Sequence, residues 1–389
     1  MPSPSQPLRV TQVSAYLDPA QRAPDELLRA WRDFGRTADA ANRAGVRVTV
    51  VQASWKDAVL KVGDAVCHFV REGRSPVVRV PGGPTFCRAR LSRLWAQVGE
   101  SRPDVIHWQG LLFPRQLRSL ARVIPGVPIV AQDHGSAVPR RLARRWMHRW
   151  GFRPLAGVMF TATDQAAPFK AAGVLRRDLP VYEVVEGSSP FSPGDQARAR
   201  QETGLGGNPC LLWVGNLDSN KDPLTVLDAV SRVAPKLPGL TLWMCYRFAP
   251  LLEAVRERMA RDPALRERVR LVGEVRYPAI EGYFRAADFL VQASHKEGSG
   301  YGVIEALACG TTPLVTGIPS FRTITGQGEA GALVPVDHAE ALAGAIADWA
   351  GRDRAGLRRR ARAHFDDALS FDAIGRQLAA TYHRVRERA

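Results

Sequence analysis

The stretch that decides the fold is residues 288–316, DFLVQASHKEGSGYGVIEALACGTTPLVT. An apolar run, DFLVQA, leads into the polar, glycine-rich loop HKEGSGYG, and the helical pattern VIEALACG follows it. A second apolar and β-branched run, TTPLVT, ends the stretch. Strand, loop, helix and strand in this order form the repeating unit of a parallel sheet that helices cover on both faces.

The same alternation extends through most of the chain. The strand candidates are 8–16, 46–54, 76–80, 104–109, 127–132, 157–162 and 181–185, then 210–215, 240–246, 269–273, 288–293, 312–316 and 331–335. Helical patterns fill most gaps, for example 224–236, 249–260, 303–309 and 339–350, and two more, 354–366 and 371–388, end the chain. A Gly-, Pro- and Ser-rich break near 187–209 separates the two series. We therefore predict an α/β fold of two tandem, doubly wound, Rossmann-like parallel-sheet domains that face a cleft.

Composition places the chain among globular proteins. Its 389 residues are 45% hydrophobic and 24% charged, which excludes fibrous and wholly disordered chains. No run reaches 18 apolar residues, and the first ten residues contain no apolar signal segment. The five cysteines are too scattered for a zinc ligand set or a dense disulfide framework, so we expect a reducing, cytoplasmic compartment.

The net charge of +16 is distributed unevenly. Residues 1–190 hold 28 basic and 15 acidic side chains, whereas residues 191–389 hold 26 and 23. A basic first half favours an anionic partner. The alternatives are a nucleic acid, an acidic membrane face and a phosphorylated substrate. Solvated arginines are the alternative. A nucleic acid is disfavoured because neither a basic-aromatic single-strand platform nor a helix-turn-helix pattern is present.

One basic segment, VPRRLARRWMHRWGFRP at 138–154, combines positive charge with a regular apolar spacing. Leu142, Trp146 and Trp150 recur every four residues, which predicts an amphipathic helix over about 139–153. Such a helix is typical of a segment that lies on a membrane surface, with a peripheral position on the inner membrane face as the expected location. A surface helix that packs its Trp face on its own domain is the alternative. The membrane-surface candidates are Arg140, Arg141, Arg144, Arg145, Trp146 and Trp150.

The loop of the deciding stretch has the composition of a phosphate cradle. The run Gly298, Ser299, Gly300, Tyr301 and Gly302 lets backbone N–H groups approach an anion at the start of a helix. Glu297 and Glu305 bracket the loop, and we expect Glu305 in the first turn of the helix. Carboxylates at these positions suit sugar hydroxyls, and a solvated loop with a glutamate at a helix start is the alternative.

A second strand-to-helix junction, CLLWVGNLDSNKDPLTVLDA at 210–229, offers a cation. Asp222 and Pro223 fit the N-cap and first helical positions. Lys221 stands just before them, where its charge suits a diphosphate. A solvated loop lysine is the alternative.

These two segments together resemble the retaining nucleotide-sugar glycosyltransferases of family 4, also called glycosyl transferases group 1, whose two-Rossmann-domain architecture is named GT-B. The family frame E-G-x-G-x-x-x-x-E, followed by A-x-x-C-G-T-P, is similar to EGSGYGVIE and ALACGTTPLV in this chain. The stretches PDVIHWQG (103–110), PIVAQDHG (128–135), VVEGSSPFSPGD (184–195) and VGNLDSNKDPLTVLDA (214–229) match further family segments in order. The resemblance covers roughly 100–380 well and 1–100 loosely.

The resemblance implies a basic acceptor-side domain at 1–190, a donor-binding domain at 191–370 and a C-terminal helix, 371–389, that returns to the first domain. It also implies roles for individual residues. Lys221 would bind the diphosphate, Glu297 the donor sugar, Glu305 the ribose and His134 the acceptor side near the anomeric carbon. The 298–302 loop would supply backbone N–H groups, and Val275 and Arg276 would flank the nucleobase.

The chain departs from the family pattern at several positions. Asn216 stands where the family usually has an arginine, and Arg322, Arg276 and Arg247 are the candidates to replace that charge. The hinge has Glu186 before Gly187 where Asn-Gly is common, and the family's Gly-Gly loop after the first strand is absent.

The resulting hypothesis is a retaining, metal-independent, hexosyltransferase-type enzyme. Its expected partners are a nucleotide-sugar donor, an acceptor that is a glycan, a lipid-linked molecule or a small molecule, and an anionic membrane surface. No cofactor and no metal are expected, since no Asp-x-Asp occurs in the sequence. An oxidoreductase is disfavoured because no G-x-G-x-x-G follows a strand. The remaining alternative is a non-catalytic protein of GT-B type that binds a sugar nucleotide or another anion.

Overall fold

The computed structural model describes residues 6–72, 77–78, 86–87 and 91–389. The chain divides into two compact units. Unit 1 comprises Met1–Gly187 and Phe371–Ala389, and unit 2 comprises Ser188–Ser370. Of the strand predicted at 76–80, only Val77–Val78 lies within the described residues.

Unit 1 is built on a sheet whose eight strands, within the described residues, run in the order β10-β9-β8-β7-β1-β2-β4-β3. The strands are β1 Arg9–Ser14, β2 Arg47–Ser54, β3 Ala58–Val62, β4 Ala65–Arg71, β7 Val105–Gln109, β8 Ile129–Gln132, β9 Leu155–Phe160 and β10 Val181–Glu183, while β5 Val77–Val78 and β6 Phe86–Cys87 form a separate ladder. The helices are α1 Pro24–Ala30, α2 Arg32–Arg43, α3 Ser92–Glu100, α4 Pro114–Val123, α5 Leu142–Gly151, α6 Ala167–Ala171 and α16 Phe371–Glu387.

The sheet of unit 1 is parallel, as predicted, except at one edge. β3 and β4 form an antiparallel hairpin, which the apolar-run criterion did not find. The residues of β3 alternate between half-buried and exposed, because an edge strand buries only one face. All other strand pairs of this sheet are parallel.

Unit 2 contains an entirely parallel sheet in the order β13-β12-β11-β14-β15-β16. Its strands are β11 Cys210–Val214, β12 Thr241–Cys245, β13 Val269–Gly273, β14 Phe289–Gln292, β15 Thr312–Thr316 and β16 Ala332–Val334. Its helices are α7 Gln196–Thr203, α8 Pro223–Val233, α9 Leu252–Ala260, α10 Pro263–Arg268, α11 Ile280–Ala286, α12 Tyr301–Ala308, α13 Pro319–Ile324, α14 Ala339–Ala350 and α15 Arg354–His364. The next strand in the chain after β11 is β12, which pairs with one side of β11. Strand β14 pairs with the other side of β11. The strand order therefore reverses between β11 and β14, where open α/β sheets bind their ligands.

The last helix of the chain packs within unit 1. Gly375 of α16 lies so close to α2 that a Cβ atom would collide with the backbone carbonyl of Ala40. Arg43 of α2 also pairs with Asp372 at 2.7 Å. A glycine in the middle of a helix lowers helix propensity, so its presence here reflects the close approach of the two helices.

Replacing Gly375 with alanine is expected to lower the free energy of unfolding by about 1–3 kcal/mol, because the added methyl forces α16 away from α2. Gly344 of α14 is the matched control, since a Cβ there meets nothing within 4 Å. Gly344→Ala should raise stability by about 0.5–1 kcal/mol through helix propensity. Urea unfolding of both variants measures the difference, and equal effects would contradict this account of the α2–α16 contact.

Candidate functional site

Two loops of unit 2 meet at the point where the strand order reverses. One follows β11 and the other follows β14. The backbone N–H of His295 donates to the carbonyl of Asn220 at 2.8 Å, and the Asn220 side chain donates to the carbonyl of Lys296 at 3.0 Å. Two hydrogen bonds that involve no charged group therefore fix the loops to each other.

An ion pair lies at this junction. The Nζ atom of Lys221 is 2.5 Å from Oε1 of Glu297, with only 20% and 13% of the two side chains exposed. Asp218 holds the lysine loop by accepting a hydrogen bond from the backbone N–H of Lys221 at 2.9 Å. The structure thus brings together two residues that the sequence assigned to one site.

Helix α12 starts at Tyr301, directly after the loop. Gly300 caps it in the left-handed conformation with φ of 76°, and a Cβ there would collide with the ring of Phe321. Only glycine satisfies both constraints at this position. The predicted start at 303 is two residues late, so the prediction that Glu305 lies in the first turn is wrong. Glu305 is the fifth residue of α12 and is half-buried.

The start of α8 agrees with its prediction. The Asp222 side chain caps the helix by accepting a hydrogen bond from the N–H of Thr225 at 3.2 Å, and Pro223 is the first helical residue. Gln292 is a contact that sequence reasoning missed. Its amide donates to the carbonyl of Val214 at 2.8 Å and so ties the end of β14 to the end of β11.

The remaining donor-site candidates occupy different parts of the sheet edge. Asn216 is exposed, one residue after Gly215 at the end of β11. Half-buried Val275 and exposed Arg276 follow β13, two strands from β11. Of the arginines considered as substitutes for the missing charge, Arg247 follows β12 and Arg276 follows β13. Arg322 instead belongs to α13, with its Nε 3.7 Å from the position that a Cβ on Gly317 would occupy, just after β15.

One three-residue group in the described part of the chain has ligand atoms close enough to hold a metal ion. It consists of Asp222, His295 and Asp337, whose atoms lie within 4.8 Å of one another. Nε2 of His295 is 3.4 Å from Asp222 and 3.3 Å from Asp337. Two carboxylates facing one imidazole also form ion pairs when the imidazole is protonated, so this geometry alone does not define a metal site.

In unit 1, His134 has hydrogen-bond partners at both ring nitrogens. Nδ1 is 2.6 Å from Oε2 of Glu186, and Nε2 is 2.6 Å from Oε1 of Gln109. With the carboxylate of Glu186 and the amide oxygen of Gln109 facing it, both ring nitrogens donate, and in this arrangement the ring carries a positive charge. Sequence reasoning noted Glu186 only as a departure at the hinge and missed Gln109.

This histidine begins a longer chain of hydrogen bonds. The amide of Gln109 lies 3.2 Å from Nε2 of His107, and Nδ1 of His107 lies 2.8 Å from the hydroxyl of Tyr382 on α16. Burial lowers the pKa of His107 to about 3, so this ring is neutral. When its proton is on Nδ1, Nε2 of His107 accepts from the Gln109 amide, whose oxygen then faces His134.

The two histidines are driven in opposite directions. Burial lowers the pKa of His134, but the hydrogen bond and negative charge of Glu186, together with the negative charge of Asp133, outweigh burial and raise the pKa above its ordinary value. Neutral His107 and charged His134 are joined through a single glutamine. The His134 ring is therefore held as a donor of two hydrogen bonds.

The basic helix of unit 1 is α5, Leu142–Gly151, slightly shorter than predicted. Leu142 and Trp146 are each 70% exposed, and Trp150 is 45% exposed. Arg140, Arg141 and Arg144 are exposed as well, whereas Arg145 is half-buried and donates to the carbonyl of Pro139. Within the described residues, no helix combines the length and the apolar character needed to cross a bilayer.

Comparison with known protein families agrees with the division of the chain into two units. Residues 195–364 match the family described as glycosyl transferases group 1, and residues 34–177 match glycosyltransferase family 4. The matched segments, which together cover most of the chain, belong to these two glycosyltransferase families. The resemblance stated from the EGSGYGVIE frame is thus confirmed, as is the GT-B fold of two Rossmann-like domains.

The relatives of this chain are distant. A D-inositol 3-phosphate glycosyltransferase of Geodermatophilus obscurus is 32% identical over 211 residues, which are 51% of this chain and 45% of that protein. The match thus spans less than half the length of this curated relative. Sucrose-phosphate synthase of Thermosynechococcus elongatus has the same fold, with a TM-score of 0.67, 18% identity and coverage of 98% and 100% of the two chains. An Anabaena protein in complex with UDP and glucose has a TM-score of 0.63 and 16% identity, covering 97% of this chain and 100% of that one.

The pairing of His134 with Glu186 in unit 1 predicts a pH effect. Glu186→Gln should lower the pKa of His134, because it removes the charge that outweighs burial. A raised pKa stabilises the folded state fully below the unfolded pKa of about 6.5, and this stabilisation is lost as pH rises through the folded pKa. NMR titration of His134 measures the shift in pKa. Unfolding experiments should show that a rise to high pH lowers the free energy of unfolding less in the variant than in the wild type.

The matched control for this titration is Glu183→Gln, which removes an exposed carboxylate three residues earlier in the chain. It should leave the His134 pKa unchanged. Equal pKa values for wild type and Glu186→Gln would contradict the assignment of Glu186 as the residue that charges His134.

Proposed function

We propose that this chain transfers a sugar from a nucleotide-sugar donor to an acceptor hydroxyl in glycan biosynthesis, and that unit 2 binds the donor. The observation that carries the proposal is the ion pair of Lys221 and Glu297 at the strand-order reversal, beside the start of α12. A cation, a carboxylate and a glycine-rich helix start are the groups that a diphosphate and a sugar require. The Anabaena neighbour, described with UDP and glucose, supports a nucleoside diphosphate as the first ligand to test.

In this proposal, donor binding exchanges the partners of the ion pair. The diphosphate takes the place of Glu297 beside Lys221, and Glu297 then accepts hydrogen bonds from hydroxyls of the donor sugar. Backbone N–H groups of the 298–302 loop donate to phosphate oxygens at the positive end of the α12 dipole. Glu305 accepts from the ribose hydroxyls, and Val275 and Arg276 flank the nucleobase.

Bond cleavage places negative charge on the leaving diphosphate, so the groups that bind it also lower the barrier. Lys221 and the fixed N–H groups are oriented before the reaction, which makes their stabilisation effective. The family resemblance implies retention through a front-face route. The C–O bond to the diphosphate breaks, the acceptor oxygen bonds to the same face of the anomeric carbon, and the leaving phosphate takes the acceptor's proton.

His134 has a supporting role in this scheme rather than that of a base. A general base must have a free nitrogen lone pair, and both nitrogens of His134 already donate to Glu186 and Gln109. We therefore propose that His134 orients the acceptor-side reactants through its charge and its fixed ring. Glu186 and Gln109 are positioning residues that act through it.

The donor site is tested by the thermal midpoint of the protein with a panel of nucleoside diphosphates and nucleotide sugars, without added metal. A ligand that binds only the folded state raises the midpoint by mass action. One nucleoside diphosphate is expected to raise it, and Lys221→Ala and Glu305→Gln should each abolish most of the shift. Glu340→Gln, at an exposed glutamate in the first turn of α14, should retain the full shift. A panel without any shift would contradict the donor site.

Metal independence is tested separately. Treatment with EDTA should leave the transfer rate unchanged, because Lys221 and backbone N–H groups carry the leaving charge in this proposal. The transfer rate of the His295→Ala variant should likewise be unchanged by EDTA. A rate that falls with EDTA and returns with a divalent cation would instead direct attention to Asp222, His295 and Asp337.

A non-catalytic protein that binds a sugar nucleotide is the second candidate. The exposed Asn216, where the family usually has an arginine, favours it because one cation for the diphosphate is absent. A radiolabelled donor distinguishes the two. Transfer or slow hydrolysis of the donor supports the enzyme, and the anomeric configuration of the product tests retention. Ligand binding without either reaction supports the binding protein.

A further inference from the structure

Helix α5 presents an apolar stripe to solvent. We define the α5 surface as Leu142, Trp146 and Trp150 together with Arg140, Arg141, Arg144 and Arg149. The three apolar residues are 70%, 70% and 45% exposed, and the four arginines are exposed. Large apolar side chains exposed in a contiguous patch mark an interaction site more often than scattered ones do.

The stripe does not serve the core of unit 1. Gly151 is the buried residue of α5 and lies against Pro114 of α4. The half-buried residues on the inner side are Arg145, Met147 and His148. The alternative that α5 packs its Trp face on its own domain is therefore wrong.

Arginines from α4 extend the charge beneath the stripe. The guanidinium of Arg118 lies 4.5 Å from the ring centre of Trp150, and that of Arg122 lies 5.9 Å from it. Val123, at the end of α4, is 55% exposed and adds aliphatic surface. The indole of Trp150 is thus held in place at one end of the stripe. The indole of Trp146 is 70% exposed and can insert into a lipid phase.

The segment of the chain that contains α5 carries charge of almost one sign. Residues 105–163 contain nine arginines and a single acidic residue, Asp133. Asp133 is buried and accepts hydrogen bonds from the backbone N–H groups of Gly135 and Ser136, so it does not neutralise the surface. A positive surface of this kind attracts a polyanion or an anionic interface.

We propose that the α5 surface binds the face of an anionic lipid bilayer. Indole rings favour the boundary between headgroups and acyl chains, and arginines pair with lipid phosphates. Leu142 and Val123 decide between a bilayer and a nucleic acid, because aliphatic side chains gain from entering hydrocarbon but do not stack on bases. Binding through this surface is independent of the donor site in unit 2, and it would place the basic unit 1 at a lipid surface whichever acceptor is used.

The test is co-sedimentation of the full chain with vesicles made of equal parts phosphatidylglycerol and phosphatidylcholine. We expect binding at low salt, weaker binding at high salt and little binding to pure phosphatidylcholine, since screening reduces attraction between exposed charges. The double variant Leu142→Ser with Trp146→Ser should bind roughly tenfold more weakly. The double variant Arg144→Gln with Arg149→Gln should also lose binding and most of the salt dependence.

Matched controls remove similar groups elsewhere. Val59→Ser changes a 62% exposed apolar residue of unit 1, and Arg359→Gln with Arg360→Gln removes two exposed charges of unit 2. Both controls should bind as the wild type does, and all variants should keep the wild-type thermal midpoint because the changed side chains are exposed.

Three results would overturn the proposal. The first is absence of binding to the anionic vesicles at low salt, and the second is an equal loss of binding in the α5 variants and the controls. The third is a concentration-dependent dimer, or a complex with RNA in the absence of lipid, that the Leu142→Ser with Trp146→Ser variant abolishes while vesicle binding persists. Because the donor thermal shift is measured without lipid, a failure here leaves the proposed transferase function standing.

Discussion

The ion pair of Lys221 and Glu297 joins two loops whose residues are 76 positions apart in the chain. It forms because β11 and β14 are neighbours in the sheet although two other strands separate them in sequence. Parallel strands end at the same edge, so their following loops converge there. The backbone bond from His295 to Asn220 and the bond from Gln292 to Val214 keep these strand ends together. The geometry of the candidate donor site thus depends on strand order first and on side-chain charge second.

The sequence was informative where a feature is local. Buried parallel strands are continuous apolar runs, and the Asp222–Pro223 pair is a short-range helix-start pattern, so both were predicted within a few residues. Strand β3 was missed because an edge strand loses the continuous apolar character on which the prediction relied. The start of α12 was misplaced because Gly300 caps it through backbone conformation and its approach to Phe321, which no local pattern shows.

The hydrogen bonds around His134 were beyond any local pattern. Its partners Glu186 and Gln109 are 52 and 25 positions away, and they reach it only through the arrangement of the sheet in unit 1. Once they are seen, the unusual Glu186 of the hinge has a physical explanation, since a carboxylate stabilises an imidazolium and an asparagine does not. Lys221 is also held by a carboxylate. In the proposed donor site, Asn216 is uncharged and Lys221 and Glu297 form a nearly neutral pair, so we expect the N–H groups at the start of α12 to carry much of the attraction for a diphosphate.

The exposure of the tryptophans on α5 follows from backbone packing rather than from a choice of side-chain rotamer. Gly151 lies against Pro114, and this contact fixes the rotation of α5 about its own axis. Residues four apart share a face of a helix, so one fixed contact determines the direction of every other position. Turning Trp146 inward would require the Gly151 contact to be broken and the arginines to be buried without partners, at a much higher cost than exposing an indole. The apolar stripe is therefore a consequence of how the described residues of unit 1 pack.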